Sequence, residues 1–175
     1  TEGGEEARVG PKSAALFMLA DPSPDNIENV LQSIEAGGIT WLSEFAEAGG
    51  WDALSRFMLN TVTLPAEDKT PSLNQSLALA LNCCEAAAAS GHDTEAEGTV
   101  TSHMVGHEEL LDALAKCVRD DAAQVRGAAL EALSVMFEEA DEEAHAVLFK
   151  AMEKVLASKR GEPLAKELVN SLREE

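Results

Sequence analysis

Apolar residues recur at helical spacing along most of the chain, and polar stretches rich in Gly and Pro separate these segments. Ser23 is typical of an N-cap, and Pro24 suits the first helical position because a proline there gives up no intrahelical hydrogen bond. Glycine pairs at 37–38 and 49–50 are typical of helix ends. Eight or nine helices are predicted, over residues 13–20, 24–36, 40–48, 51–59, 71–89, 107–118, 122–139, 141–158 and 163–172.

The order of shorter and longer helices indicates a repeat. A short helix at 51–59 precedes a long Ala-rich helix at 71–89, and a short helix at 107–118 precedes a second one at 122–139. In a stacked array the long helix touches neighbours on both sides, and Ala permits close approach of the helix axes. The sequence therefore predicts an all-α, armadillo-like α-solenoid of about three repeats plus a partial fourth.

The predicted organisation has two parts. Residues 1–22 form a flexible acidic tail with a short leading helix, and residues 23–175 form the helical repeat domain. The repeat units are predicted at 23–60, 61–120, 121–158 and, in part, 159–175. Polar segments at 61–70 and 90–101 are interpreted as loops, and Asp120 or Asp121 is predicted to cap the helix that follows.

The net charge of the chain argues against some classes of function. The 175 residues include 13 Lys plus Arg against 32 Asp plus Glu, which gives a formal net charge of −19. Such a field repels phosphate backbones and anionic membranes, so it argues against nucleic-acid binding and favours basic partners. No apolar run approaches the roughly 20 residues of a membrane-spanning helix, so membrane insertion is not expected. The odd number of cysteines, without regular spacing, favours a reducing, cytoplasmic location.

Residues 24–60 resemble the opening of the armadillo-type inhibitory domain of diaphanous-type formins. The resemblance rests on Thr40-Trp41-Leu42, Phe45, Gly49-Gly50, Leu54 and Met58. A looser similarity in helix order extends over about residues 24–158. The resemblance implies a cytoskeleton-associated, autoinhibitory regulator of actin that grips an amphipathic tail helix followed by basic residues. It also implies a Rho-family GTPase as a second partner.

One face of each long helix is predicted to line a partner-binding groove. Spacings of three and four residues bring the chosen side chains onto one face of their helix. The predicted groove residues are Ala78, Asn82, Glu85, Ala89, Ala128, Glu131, Val135 and Glu138. A small apolar floor with flanking carboxylates suits a basic amphipathic helix. The alternative for each residue is an ordinary core or solvated surface position.

Two tryptophans and a pair of cysteines have both a binding and a packing interpretation. Trp41 and Trp51 are candidate partner anchors, because Trp is enriched at binding hot spots. A core position is the stronger interpretation, more so for Trp41 than for Trp51. The adjacent Cys83 and Cys84 are interpreted as small packing residues of an apolar helix.

Candidate chemistry is sparse. His103 and His107 have the spacing of a metal pair on a helix, which His92 and nearby carboxylates would complete. No phosphate-binding loop, dinucleotide glycine motif or nucleophile elbow is present in the sequence, so neither catalysis nor a cofactor is expected. The leading hypothesis is a formin-like binding module. A general armadillo or HEAT adaptor unrelated to actin comes second, and a metal-dependent enzyme third.

Overall fold

The computed structural model describes residues 9–90 and 100–156, with side chains for 9–90 and 100–154. All regular structure within these ranges is helical. The α-helices are α1 (Pro11–Ala20), α2 (Pro24–Glu47), α3 (Gly50–Val62), α4 (Pro71–Ala89), α5 (Val100–Val105), α6 (Glu108–Cys117), α7 (Ala123–Glu139) and α8 (Glu142–Leu156). The helix predicted at 163–172 and the partial repeat at 159–175 lie outside the described residues.

The helices form two layers. In one layer α2, α4 and α7 lie side by side, with α4 in the middle. In the other layer α1, α3, α6 and α8 follow one another in that order. The chain crosses between the layers at α1–α2, α2–α3, α3–α4, α6–α7 and α7–α8, and the members of the first four pairs also contact each other. This arrangement is an all-α solenoid, and the predicted fold class is confirmed.

Local signals in the sequence explain how α2 begins and where it breaks. Ser23 Oγ accepts a hydrogen bond from the backbone N of Asn26 at 3.3 Å, and Pro24 occupies the first turn, so the predicted N-cap is confirmed. Gly38 has φ 60° and ψ −151°, a conformation outside the helical region that favours glycine. The predicted break is therefore present within α2, and the helix resumes directly after it.

Phe45 is held between two tryptophans where α2 meets α3. Its ring stacks on Trp41 with centroids 5.1 Å apart and meets Trp51 edge-on at 5.4 Å. Trp51 is 2% exposed, whereas Trp41 is half-buried and its Nε1 donates to the Val9 carbonyl at 3.0 Å. The predicted order of burial is wrong, because Trp51 enters the core at the start of α3 while Trp41 keeps one edge open beside the segment preceding α1.

The connections contain more structure than the sequence predicts. α3 continues to Val62, and a 3₁₀ turn at Ala66–Asp68 follows it, so the segment 61–70 is not a plain loop. α5 begins inside the second predicted loop, and its Met104 is buried. Ser102 Oγ donates to Asp141 Oδ2 at 2.6 Å, which joins α5 to the start of α8. Residues 91–99 lie outside the described part of the chain.

Asp120 fixes the turn before α7 without being its N-cap residue. The N-cap is Ala122, whose backbone N donates to Asp120 Oδ1 at 2.9 Å. Asp120 Oδ2 accepts from Lys69 Nζ at 2.6 Å, and the Asp120 side chain is 1% exposed. Arg126 Nη1 donates to the carbonyls of Asp120 and Asp121 at 2.8 and 2.9 Å. The turn before α4 is thereby fixed to the turn before α7.

Small residues occupy buried positions on α4, the middle helix of the layer formed by α2, α4 and α7. Ala80, Ala87, Cys83 and Cys84 on α4 are fully buried, which permits close packing against both α2 and α7. Burial raises the pKa of Cys84 to about 12 and that of Cys83 well above its usual value, so both thiols stay protonated. The interpretation of the two cysteines as packing residues is confirmed.

Large apolar side chains are exposed on the first and last described helices. Leu16 and Leu19 on α1 and Phe149 on α8 are each more than half exposed. Both helices stand at an end of their layer, where one flank has no neighbouring described helix. None of the helices in the described ranges combines the length and the mean hydropathy that crossing a lipid bilayer requires.

Candidate partner-binding face

The predicted groove residues belong to two helices that the fold brings together. Among the described helices, α4 and α7 share the most extensive contact. Across this contact the negative charge of Glu131 contributes to the raised pKa of Glu85. The structure therefore joins the two lines of residues that the sequence predicts on separate helices.

The eight residues differ in how far they reach the surface. Two are buried: Ala78 and Ala128. Three are half-buried: Asn82, Glu85 and Val135. Three are exposed: Ala89, Glu131 and Glu138. The two buried alanines serve the close approach of α4 and α7, so the surface available to a ligand is formed by the other six.

The Glu85 carboxyl on this surface has a raised pKa. Partial burial removes part of its hydration and raises its pKa, and the negative charge of Glu131 raises it further. Both effects disfavour the ionised carboxylate. A Lys or Arg of a ligand placed between these two residues would offset both, because it supplies the opposite charge next to the less hydrated group.

Acidic side chains continue from α4 onto α2. Glu35 is exposed on α2, and its charge contributes to the raised pKa of Cys83 on the adjoining side of α4. Glu28, also exposed, precedes Glu35 by seven residues and shares its helical face. The α2–α4–α7 layer thus carries carboxylates on all three helices, and we call the following five residues the acidic face: Glu28, Glu35, Glu85, Glu131 and Glu138.

Glu85→Gln is expected to stabilise the protein at neutral pH and to have no effect at about pH 3. The folded-state pKa of Glu85 is raised, so the stability it contributes in acid is lost as the pH rises through that pKa. Below the unfolded value of about 4.3 the carboxyl is neutral in both states, and Gln then changes nothing. Because water still reaches the half-buried side chain and screens its charge, we expect a gain of no more than about 0.5 kcal/mol.

Urea unfolding of the wild type and Glu85→Gln at both pH values measures this difference. Glu44→Gln, at an exposed position on α2, is the matched control. An equal gain at the two pH values would show that ionisation of Glu85 is not its cause.

The two histidines predicted as a metal pair do not share a helix. α5 ends before Gly106 and α6 begins after it, so His103 and His107 lie on opposite sides of a helix boundary. His107 Nδ1 instead lies 3.1 Å from Asp52 Oδ1 on α3. In residues 9–90 and 100–156, no three His, Cys, Asp or Glu side chains are grouped so that they could hold a metal ion. His92 lies outside these ranges.

Comparison with known proteins supports a helical repeat fold and does not identify a particular family for the chain. A family model described as a HEAT repeat associated with sister chromatid cohesion matches residues 98–133. The match spans α5, α6 and the first two thirds of α7, including the turn fixed by Asp120 and Arg126. No curated protein and no solved structure matches the chain. The chain is therefore similar to HEAT and armadillo-like repeat proteins, and none of these comparisons indicates a formin.

The sequence analysis predicts a capping role for Asp120 or Asp121 but assigns no role in this turn to Arg126. Asp120 precedes Arg126 by six residues, and Ala128-Ala129 follow after Gly127. A carboxylate at the start of such a turn accepts a backbone N–H, and the arginine six residues later reaches back to the turn carbonyls. Asp120 and Arg126 both lie within the segment that the HEAT-repeat model matches.

Proposed function

We propose that this chain is a protein-binding module whose acidic face captures a basic amphipathic helix. The observation that carries the proposal is the contact between α4 and α7, across which the charge of Glu131 raises the pKa of Glu85. Half-buried Val135 lies one turn after Glu131, so an apolar position adjoins the paired carboxylates. A helix with an apolar ridge and Lys or Arg beside it fits both features, which is the usual mode of helix-in-groove recognition.

Long-range electrostatics supports the same ligand. A net charge of −19 accelerates the approach of basic partners and slows that of acidic ones. Screening by salt weakens this contribution, since the Debye length falls to about 8 Å at physiological ionic strength. Binding at the acidic face is therefore expected to weaken as salt is raised.

A formin-type tail helix is one ligand of this chemistry, as the resemblance of residues 24–60 implies. In that case the module would hold an actin-regulating partner segment inactive, and a Rho-family GTPase would compete for it. Both roles rest on the resemblance alone. The alternative is a general HEAT or armadillo adaptor that binds a different helical ligand, and the HEAT match at 98–133 is compatible with either candidate.

Fluorescence anisotropy with two labelled helical peptides tests the proposal. The peptides share one apolar ridge and carry either Lys or Gln at the flanking positions, and each is titrated at about 50 and 300 mM salt. We expect the Lys peptide to bind more tightly, and the difference to shrink at the higher salt. Glu131→Lys should weaken its binding roughly tenfold, whereas Glu143→Lys, an equal charge change at an exposed position on α8, should have little effect.

Two results would overturn the proposal. One is equal binding of the Lys and Gln peptides at both salt concentrations. The other is an equal loss of binding in Glu131→Lys and Glu143→Lys. That result would show that binding depends on the net charge of the chain and not on the acidic face. Circular dichroism of both variants checks that they remain folded.

A further inference from the structure

The side of α8 that faces away from α6 carries an uncovered aromatic ring. Phe149 on this helix is 60% exposed. Val147 lies beside α6, in a groove that Leu111 of α6 also lines. Residues two positions apart in an α-helix point about 200° apart, so Phe149 lies on the opposite side of α8. The described helices leave this side open to water.

The apolar surface continues from α8 onto α7. The ring of Phe137 on α7 meets the His145 ring edge-on, with centroids 5.0 Å apart. His145 precedes Phe149 by one turn of α8. Leu130 is half-buried and lies seven residues before Phe137, so the two share a face of α7. We call these four residues the end patch: Leu130, Phe137, His145 and Phe149.

The charges around the end patch do not by themselves select an occupant. The depression beside Phe149 has a volume of about 600 Å³, and its rim carries charges of both signs. The charged rim residues are Asp141, Glu142, Lys150 and Glu153. A second copy of this chain is disfavoured there, because two molecules of net charge −19 repel each other. The patch therefore suits an occupant that is apolar on one side and close to neutral.

The order of the helices indicates which segment comes next on this side. α4 follows α3 and packs beside α2, and α7 packs beside α4 after the chain leaves α6. α8 lies in the same layer as α3 and α6. By the same alternation, the segment after α8 is expected beside α7, next to Leu130 and Phe137.

The sequence after α8 suits that position. Pro163 is typical of the first position of a helix, and a connection of about six residues between packed helices is usual. On a helix over residues 163–172, the apolar residues would share one face: Leu164, Ala165, Leu168, Val169 and Leu172. Basic and acidic residues are equally numerous in 157–175, so this segment approaches the acidic chain without net repulsion.

We propose that residues 163–172 of this chain dock on the end patch, with Leu168 and Leu172 against the rings of Phe137 and Phe149. The docked segment would close this end of the solenoid and turn its polar side to water, as the terminal element of a repeat array must. The end patch would then be closed to other proteins. The proposal is independent of ligand binding at the acidic face.

Photocrosslinking in the full-length chain tests this inference. Benzoylphenylalanine replaces Phe149, and equal amounts of unlabelled and isotope-labelled protein are mixed before irradiation. We expect crosslinks to residues 163–172 within one molecule, identified by mass spectrometry of the tryptic peptides. The control carries the same group in place of Leu16, an exposed residue of α1 at the other end of its layer, and should give no crosslink to 163–172.

Two double variants test which side of the segment makes the contact. L168D/L172D should lower the crosslink yield by about tenfold or more, because each change places a carboxylate in an apolar contact. K166Q/N170D changes the net charge equally on the predicted polar side, and should lower the yield by less than about twofold. Circular dichroism checks that both variants remain folded.

Three results would overturn the inference. One is the absence of crosslinks from position 149 to residues 163–172. Another is a set of crosslinks that join labelled to unlabelled molecules, which would assign the end patch to a second copy of the chain. The third is an equal loss of crosslinking in L168D/L172D and K166Q/N170D, which would show that the apolar side of the segment does not make the contact.

Discussion

Gly50→Ala is expected to destabilise the protein by about 3 kcal/mol, because the new methyl group would overlap the Phe45 ring. That ring is fully buried and held on both sides by Trp41 and Trp51. It therefore has no free volume into which it can retreat, and the start of α3 must move instead. The expected cost lies at the upper end of the range for added methyl groups because both neighbours of the ring are rigid.

Urea unfolding measures this effect, and the chain offers a matched control. Gly127 lies on α7 at an exposed position, and a methyl group added there meets no atom within 4 Å. Gly127→Ala should therefore stabilise the protein, by about 1 kcal/mol, through helix propensity alone. Adding Phe45→Leu to Gly50→Ala should recover part of the loss. A Gly50→Ala variant as stable as the wild type would contradict the packing described for this junction.

Asp120→Ala is expected to cost about 3 kcal/mol, since it removes one partner of an ion pair that is largely withdrawn from water. The change deprives Lys69 of its counter-ion and the backbone N of Ala122 of its acceptor. It also releases the link between the turns before α4 and α7. Unfolding should remain a single cooperative transition, at a lower urea concentration.

Asp112→Ala provides the comparison, because it breaks the exposed pair with Lys116 on α6. That loss should stay below about 1 kcal/mol. Combining Lys69→Met with Asp120→Ala should restore part of the stability, since no unpaired charge then remains at the turn. Equal effects of Asp120→Ala and Asp112→Ala would contradict the assigned role of the buried pair.

The sequence predicts the helices well because their signals are local. The Ser23 cap, the glycine break at 37–38 and the periodic apolar residues all act within one or two turns of the chain. The pair of Lys69 and Asp120 is different, because it joins residues 51 positions apart. The contact between α6 and α8 has the same character, since the two helices become neighbours only when the layers form. Periodicity along one helix does not specify its neighbours.

In the candidate site, too, local features can be predicted from the sequence and contacts between helices cannot. The shared face of Glu131 and Val135 follows from helical geometry, and so does that of Asn82 and Glu85. Their juxtaposition across α4 and α7 follows from two long helices occupying one layer. The sequence leaves open whether Ala78 lines the groove or belongs to the core, because its burial depends on how closely α7 approaches α4. Small residues on a helix indicate a close contact without indicating whether a ligand or a neighbouring helix makes it.

A charge-swap cycle at Glu131 tests the acidic face most directly. The wild type and Glu131→Lys are each titrated with the Lys-flanked peptide and with a copy in which one Lys is replaced by Glu. If Glu131 contacts that Lys, the two matched combinations will bind more tightly than the two mismatched ones, with a coupling energy of about 1 kcal/mol or more. A coupling energy of zero at every Lys position of the peptide would show that the acidic face is not the surface that holds the helix.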